Sequence, residues 1–420
     1  MVAFHFPPFA GSSGVQRTLR FVQHLPTFGW QPIVLTANPR AYATTSDDLL
    51  ASIAPGVVVE RAFALDTARH LAAAGRYPEF FARPDRWSSW MLGAIPKGLR
   101  LIHRLQPDVI WSTYPIATAH AIGYRLHRLT GIPLVADFRD PMAQEGYPED
   151  VKTHRSFERV ERRAVLNAAR VVLVTPSAKA LYQARYLSVR PERFTLIENG
   201  YDEESFVEAE RGLERAPLNP GCFTLLHSGI VYPSERDPTA FFEALARMKR
   251  DGRVNADSLR VRFRAPVHSD LLLRLAGQTN TSDLVEVLPS VPYVLALQEM
   301  LQADGLLVMQ GANCNEQIPA KLYEYFRARR PILALADPNG DTARVMIDAG
   351  VDHVALLEDA DRVETAMTNY LAAVRSGGVT TPLGRPLRDM SRRARTQALA
   401  EVLEVASTCR PLQLASRRNS

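Results

Sequence analysis

The stretch from Ala303 to Asp337, ADGLLVMQGANCNEQIPAKLYEYFRARRPILALAD, restricts the possible folds more than any other part of the chain. Leu306, Leu307, Val308 and Met309 form an apolar run without polar alternation, the pattern of a strand buried on both faces of a parallel sheet. A polar loop follows. Pro319 suits the first turn of a helix, the helix KLYEYFRARR stops before Pro331, and PILALA reads as a second buried strand. Strand, loop, helix and strand in this order point to a βαβ crossover, because parallel strands need a connection long enough to run back along the sheet. In open α/β sheets, ligands sit outside the carboxyl ends of the strands, where a helix N-terminus offers free N–H groups to an anion. The loop from Gln310 to Pro319 is therefore the expected place of an anionic ligand.

The same alternation runs through the rest of the chain. QPIVLTA, VVVERAF, PDVIWSTYP, IPLVADFRDP, RVVLVT and RFTLIENGYD are strands in the first half, with helical segments between most of them. CFTLLHSG, LRVRFRAP and LVEVLP continue the pattern towards Ala303. A length of 420 residues exceeds one ordinary core, so two doubly wound domains are expected. The boundaries read as an N-terminal domain over 1–203, a Pro/Gly-rich linker over 204–220 and a second domain over 221–387. A helix over 388–410 and a basic tail over 411–420 complete the chain. Met1 stands almost inside the first strand, so the true start is expected upstream.

Apolar content of 46% and charged content of 23% are those of a globular protein. Cys222, Cys314 and Cys409 follow no ligand or disulfide spacing, which fits a reducing compartment. No apolar run is long enough to span a bilayer and no signal peptide is visible, so a cytoplasmic protein, or one held on the inner face of the plasma membrane, is expected. The net charge of +5 is too mild to argue for nucleic acid as a partner. HExxH, CxxC and GxGxxG are all absent, and neither a metal nor a dinucleotide cofactor is expected.

Seven residues separate Glu316 from Glu324, one in the loop and one about a turn into the helix. The bare spacing is weak, since Glu235 and Glu243 repeat it. In its strand-loop-helix setting, however, the pair resembles the donor site of the retaining GT-B glycosyltransferases of family 4. The opening FPPFAGSSG resembles the N-terminal loop of that family, and LVADFRDP is similar to a segment of a bacterial surface-polysaccharide subgroup. ENGYD resembles the junction between the two domains. The resemblance implies a GT-B fold, two Rossmann-like domains facing a central cleft, with a nucleotide-sugar as co-substrate.

It also implies roles for individual residues. Glu324 hydrogen-bonds the donor ribose and Glu316 lies near the donor sugar. Gly229 belongs to the diphosphate loop, and Arg236 stands where the family carries the Lys of an Arg…Lys pair. The Arg of that pair is replaced by Ile230, so only half of the cationic clamp is visible. Lys321, at the start of the helix, is a further candidate for the donor phosphates. Val287 to Val291 line the base pocket, Gly11 and Gly14 line the cleft, and Asp137, Asp140 and Arg139 stand on the acceptor side, either as site residues or as a structural Asp–Arg network. His227, inside an apolar strand, reads as a strand residue rather than a catalyst.

Between residues 69 and 104 basic and aromatic residues mix, among them Phe80, Phe81, Arg86, Trp87 and Trp90. Such a mixture suits either an anionic membrane surface or a helical pair packed on the sheet. The first reading points to a lipid-linked sugar or growing glycan as acceptor. Two other readings use the same fold: a nucleotide-sugar epimerase, and a non-catalytic protein that binds a nucleotide-sugar or a partner.

Overall fold

The computed structural model describes residues 1–10, 14–72, 76–213, 216–378 and 385–409. Gly11 and the tail at 411–420 lie outside the described residues. The chain divides into two compact units, Met1–Glu198 with Arg392–Ser420, and Asn199–Ser391.

In the first unit the strands are β1 Ile33–Ala37, β2 Val58–Ala62, β3 Ile110–Thr113, β4 Leu134–Arg139, β5 Arg170–Leu173 and β6 Phe194–Leu196. All named pairs are parallel, β1 with β2 and then β3 through β6 in order. Val2 joins the two sets by bridging Leu35 on one side and Ser112 on the other. Its N–H donates to Trp111 O at 2.7 Å, and its carbonyl accepts from the N–H of Thr113 at 3.2 Å. The N-terminal residues are thus the central rung of one parallel sheet, and the chain reverses its direction of winding there.

Helices cover the sheet because its strands are apolar on both sides. Ala3, Val135 and Val172 face Leu399, Val402 and Leu403 of the helix Arg392–Ser407. Leu35, Leu134 and Ala136 pack in a cluster with Trp90, Leu101 and Ile122. The basic, aromatic stretch splits accordingly. Trp90 is fully buried and Trp87 packs against the core. Arg86 pairs with Asp66, and Lys97 and Arg104 pair with Glu60. Phe80 and Phe81 remain 64% and 44% exposed.

The second unit contains β7 Phe223–Ser228, β8 Leu259–Arg264, β9 Val285–Leu288, β10 Gly305–Met309, β11 Ile332–Leu335 and β12 Val354–Ala355. Their order, β12-β11-β10-β7-β8-β9, is a parallel sheet wound outwards from β7 and β10 in both directions. Leu306 to Met309 are buried, and Leu307 and Met309 belong to one cluster while Leu306 and Val308 belong to another, as a strand covered on both faces requires. Gly305 lies under Tyr370, and a Cβ added there would press on its hydroxyl, so a larger residue would displace that buried ring. The stretch read as a linker contains the helix Glu203–Arg211, capped by the Asp202 carboxylate.

Arg17 ties the first unit together. Its guanidinium donates to both oxygens of Asp137, at 3.0 and 3.1 Å, and to the carbonyls of Ile197 and Glu198. Thr113 Oγ1 donates to Asp137 at 3.0 Å. Arg17 is 3% exposed and Asp137 is fully buried, so removing one partner leaves a charge that neither water nor protein solvates. We expect Arg17→Met to destabilise this unit by about 3–5 kcal/mol, and Arg17→Met with Asp137→Leu to recover much of the loss. Tryptophan fluorescence during chemical denaturation checks this, because Trp30, Trp87, Trp90 and Trp111 all lie in the first unit.

Candidate functional site

The carboxyl ends of β7 and β10 collect the polar groups of the second unit. β7 ends at Ser228, whose N–H donates to the Tyr325 hydroxyl at 2.9 Å. Gly229 follows with φ of +109°, a conformation that a residue bearing a Cβ adopts only with strain. A Cβ there would also lie 3.2 Å from Lys321 Nζ, so the glycine is what lets the amine come this close to the backbone. The chain then turns on itself, with the N–H groups of Glu235 and Arg236 both bonded to Tyr232 O.

Arg236 is 8% exposed. Its guanidinium lies 5.4 Å from the centre of the Tyr232 ring and 3.8 Å from the Glu235 carboxylate, and its Nε has no hydrogen-bond partner. A buried guanidinium N–H without an acceptor is costly. It marks a place where an anion would complete the structure.

The loop after β10 is laced to this turn. Gly311 N–H donates to Glu235 O at 2.6 Å, and Asn313 Nδ2 donates to Ser234 O at 2.8 Å. Asn315 Nδ2 reaches Asp337 at 2.6 Å, which sets the backbone just before Glu316. The helix Lys321–Ala328 begins after Pro319 and Ala320 and ends at Arg329 with φ of +52°, a left-handed stop. One turn into it, Glu324 Oε1 accepts the Tyr293 hydroxyl at 2.8 Å, so a residue from the helix Tyr293–Gln302 fixes that carboxylate.

Lys321 donates from Nζ to His227 Nε2 at 2.9 Å. His227 is fully buried in β7, and its Nδ1 lies 2.9 Å from Leu307 O of β10. A ring nitrogen facing a carbonyl carries the proton, so the neutral ring is protonated at Nδ1 and offers its Nε2 lone pair to the lysine. Burial, then Lys321, then Arg236 push His227 well below its ordinary value, against backbone hydrogen bonds to Leu307 and Ile230. Burial and then Arg236 likewise depress the Lys321 amine, with Glu324 acting in the opposite sense.

Gly229, Arg236, Lys321 and Glu324 thus converge on one edge of the sheet, with the loop of Glu316 fastened beside them. On β8, Arg264 donates to Pro289 O at 2.7 Å and pairs with Glu299, which holds the segment read as the base pocket. His227 and Tyr293 are the residues that sequence reasoning did not assign to the site. The only local signal for His227 is its position two residues before the glycine turn.

The remaining candidates belong to the first unit. Asp137 is committed to Arg17 and Thr113. Arg139, at φ of +61° on the end of β4, is buried, and its NH1 lies 3.5 Å from Gly14 O and 3.4 Å from Tyr114 O. Burial lowers the Arg139 guanidinium from its ordinary value, with Asp140 beside it acting in the opposite sense. His5 stacks on Phe9 at 4.3 Å and is lowered to about 3 by burial and then by Arg139, so the ring there is neutral. Among the described residues no group of three or more His, Cys, Asp or Glu has the geometry to hold a metal ion.

Residues 13–205 match the family model Glycosyltransferase Family 4. No curated protein matches the sequence. Among solved structures, Anabaena HepE in complex with UDP and glucose is 14% identical, with a TM-score of 0.61 over 96% of this chain and 98% of that one. Sucrose-phosphate synthase of Thermosynechococcus elongatus is 14% identical, with a TM-score of 0.61 over 100% and 99%. The UDP-GlcNAc 2-epimerase of Neisseria meningitidis bound to UDP-GlcNAc is 10% identical, with a TM-score of 0.55 over 96% and 98%. With its two parallel-sheet Rossmann-like units, the chain has the GT-B fold of the glycosyltransferases among these structures.

A test of the edge as an anion site needs no donor. Gly229→Ala places a Cβ against the Lys321 amine and strains the backbone, a cost of about 1–3 kcal/mol. We expect it to weaken pyrophosphate binding at least tenfold by isothermal titration (roughly 1.4 kcal/mol), while circular dichroism shows the fold retained.

Proposed function

We propose that the protein is a retaining, metal-independent glycosyltransferase that moves a sugar from a nucleotide-sugar to an acceptor hydroxyl. The observation that carries this reading is the convergence of the Gly229 turn, the buried Arg236 with its unpartnered Nε, Lys321 and Glu324 on one strand edge. The family match over residues 13–205 supports the same reading from the other unit.

The donor diphosphate lies against Gly229, between Arg236 and Lys321 and in front of the N-terminus of the helix Lys321–Ala328. Negative charge that builds on the leaving group meets these cations in a low-dielectric site. Glu324, held by Tyr293, binds the ribose, and Glu316 binds hydroxyls of the transferred sugar, so both position rather than attack. The acceptor hydroxyl attacks from the face that the diphosphate leaves, and the departing phosphate oxygen takes its proton. Gly14, Arg139 and Asp140 serve the acceptor; Asp137, through Arg17, holds the backbone that carries them. No cofactor enters this scheme, since the nucleotide-sugar is itself the co-substrate. UDP-sugars are the first donors to test, because the HepE structures hold UDP and UDP-glucose.

We assign the acceptor to lipid-linked or growing surface glycans, with the protein at the inner face of a bacterial plasma membrane. No helix among the described residues is long and apolar enough to cross a membrane. The exposed pair Phe80–Phe81, with ring centres 4.0 Å apart, offers apolar surface next to a basic segment. Phe80→Ser with Phe81→Ser should reduce co-sedimentation with anionic vesicles severalfold and leave donor binding unchanged; equal sedimentation of both proteins refutes the membrane assignment. Epimerase structures share the fold, so a second reading is epimerisation of the nucleotide-sugar.

The decisive experiment is a thermal-shift screen of UDP-, GDP-, ADP- and dTDP-sugars, followed by product analysis with and without acceptor. A donor at a hundred times its Kd stabilises by about 2.7 kcal/mol. That shift should appear in the wild type and shrink strongly in Glu324→Ala. Turnover that needs an acceptor supports transfer. An epimeric nucleotide-sugar formed without acceptor replaces the proposal with the second reading.

A further inference from the structure

Beside the Gly229 turn the residue that follows is Ile230, and the structure brings a cation there from a distant element. Lys321 comes from a different element and reaches Gly229 from the side, its amine 3.2 Å from where a Cβ would stand. A lysine side chain is long and carries much rotamer freedom, so an unguided amine would spread over several positions. Here one group orients it. The Nε2 of His227 is 2.9 Å from Lys321 Nζ, and the far side of the ring is anchored on Leu307 O. The imidazole is fully buried between strands of the sheet and cannot turn away.

We propose that His227 is the positioning residue of this site: its Nε2 lone pair aims the Lys321 ammonium at the Gly229 turn, so that Lys321 and Arg236 together form a cation pair beside that turn. The inference rests on the donor-site reading above. Aspartate or glutamate at 227 would neutralise the ammonium that the phosphates need, whereas a neutral imidazole orients it and leaves its charge available. The groups facing Lys321 are His227 on β7, Arg236 after it and Glu324 on its own helix; those facing His227 are Lys321 and Arg236. With two cations and a buried ring around it, the empty site favours loss of a proton from the lysine, and an incoming diphosphate favours its return. Diphosphate binding therefore takes up a proton from solvent, and affinity falls as pH rises.

The test is isothermal titration of the full chain with UDP and with inorganic pyrophosphate, in buffers of different ionisation enthalpy across neutral to alkaline pH. The proteins are the wild type, His227→Leu, His227→Gln, Lys321→Met and the double variant His227→Leu/Lys321→Met. Gln carries an acceptor oxygen near the place of Nε2. We expect proton uptake in the wild type and its loss in Lys321→Met. His227→Leu should weaken binding roughly tenfold, the scale of one hydrogen bond to a charged group, and His227→Gln should restore most of it. In the Lys321→Met background His227→Leu should add nothing. An equal loss from His227→Leu in both backgrounds makes His227 a packing residue and overturns the inference, while wild-type binding keeps the donor site. Failure of the folded wild type to bind either probe removes the donor-site reading and this inference with it.

Discussion

Everything in this molecule that points to chemistry follows from the parallel pairing of its strands. A parallel sheet sends all its carboxyl ends to one edge and requires every crossover to return over a face. β7 and β10 are neighbours in the sheet although about 80 residues separate them in sequence, as the Gly305–Leu225 pairing shows. Their following loops therefore meet, and Gly311 and Asn313 bond to the backbone of Glu235 and Ser234. Without that adjacency Arg236 and Lys321 would have no common target.

The second constraint is the cost of taking charge out of water. The chain meets it in two ways. Arg17 and Asp137 are fully matched, with two parallel hydrogen bonds and three further groups on the remaining donors and acceptors. That pair is finished, and it serves to join the helix Gly14–His24, β4 and the end of β6. Around Arg236 and Lys321 the matching is incomplete: a neutral ring and the carboxylates of Glu235 and Glu324 stand nearby, and Arg236 Nε is a buried N–H without an acceptor. Incompletely matched buried charge lowers stability.

Several features were plain in the residues. The apolar runs give β10 and β11 because strands covered on both faces need no polar alternation, whereas β8 alternates apolar residues with arginines. Glu324 and Lys321 could be placed at a helix start because Pro319 marks it. The Arg-rich stretch from 69 to 104 could not be resolved this way, since its aromatics follow no single stripe. In the structure Trp87 and Trp90 go to the core while Phe80 and Phe81 face out, a choice made by the sheet beneath them. The linker reading missed the helix Glu203–Arg211, whose packing on the helix Tyr293–Gln302 outweighs its polar composition.

The sequence by itself determined the class of fold, the two parallel-sheet units and the strand–loop–helix segment that ends at the polar edge of the second sheet, because hydrophobic period and helix punctuation are local properties of a chain. Only the tertiary structure decided which side chains act together there. His227 meets Lys321 across 94 residues and Arg17 meets Asp137 across 120. Such pairs exist because sheet order brings distant segments within hydrogen-bond reach and because burial decides which charges must be matched, and neither is written in any single stretch of residues.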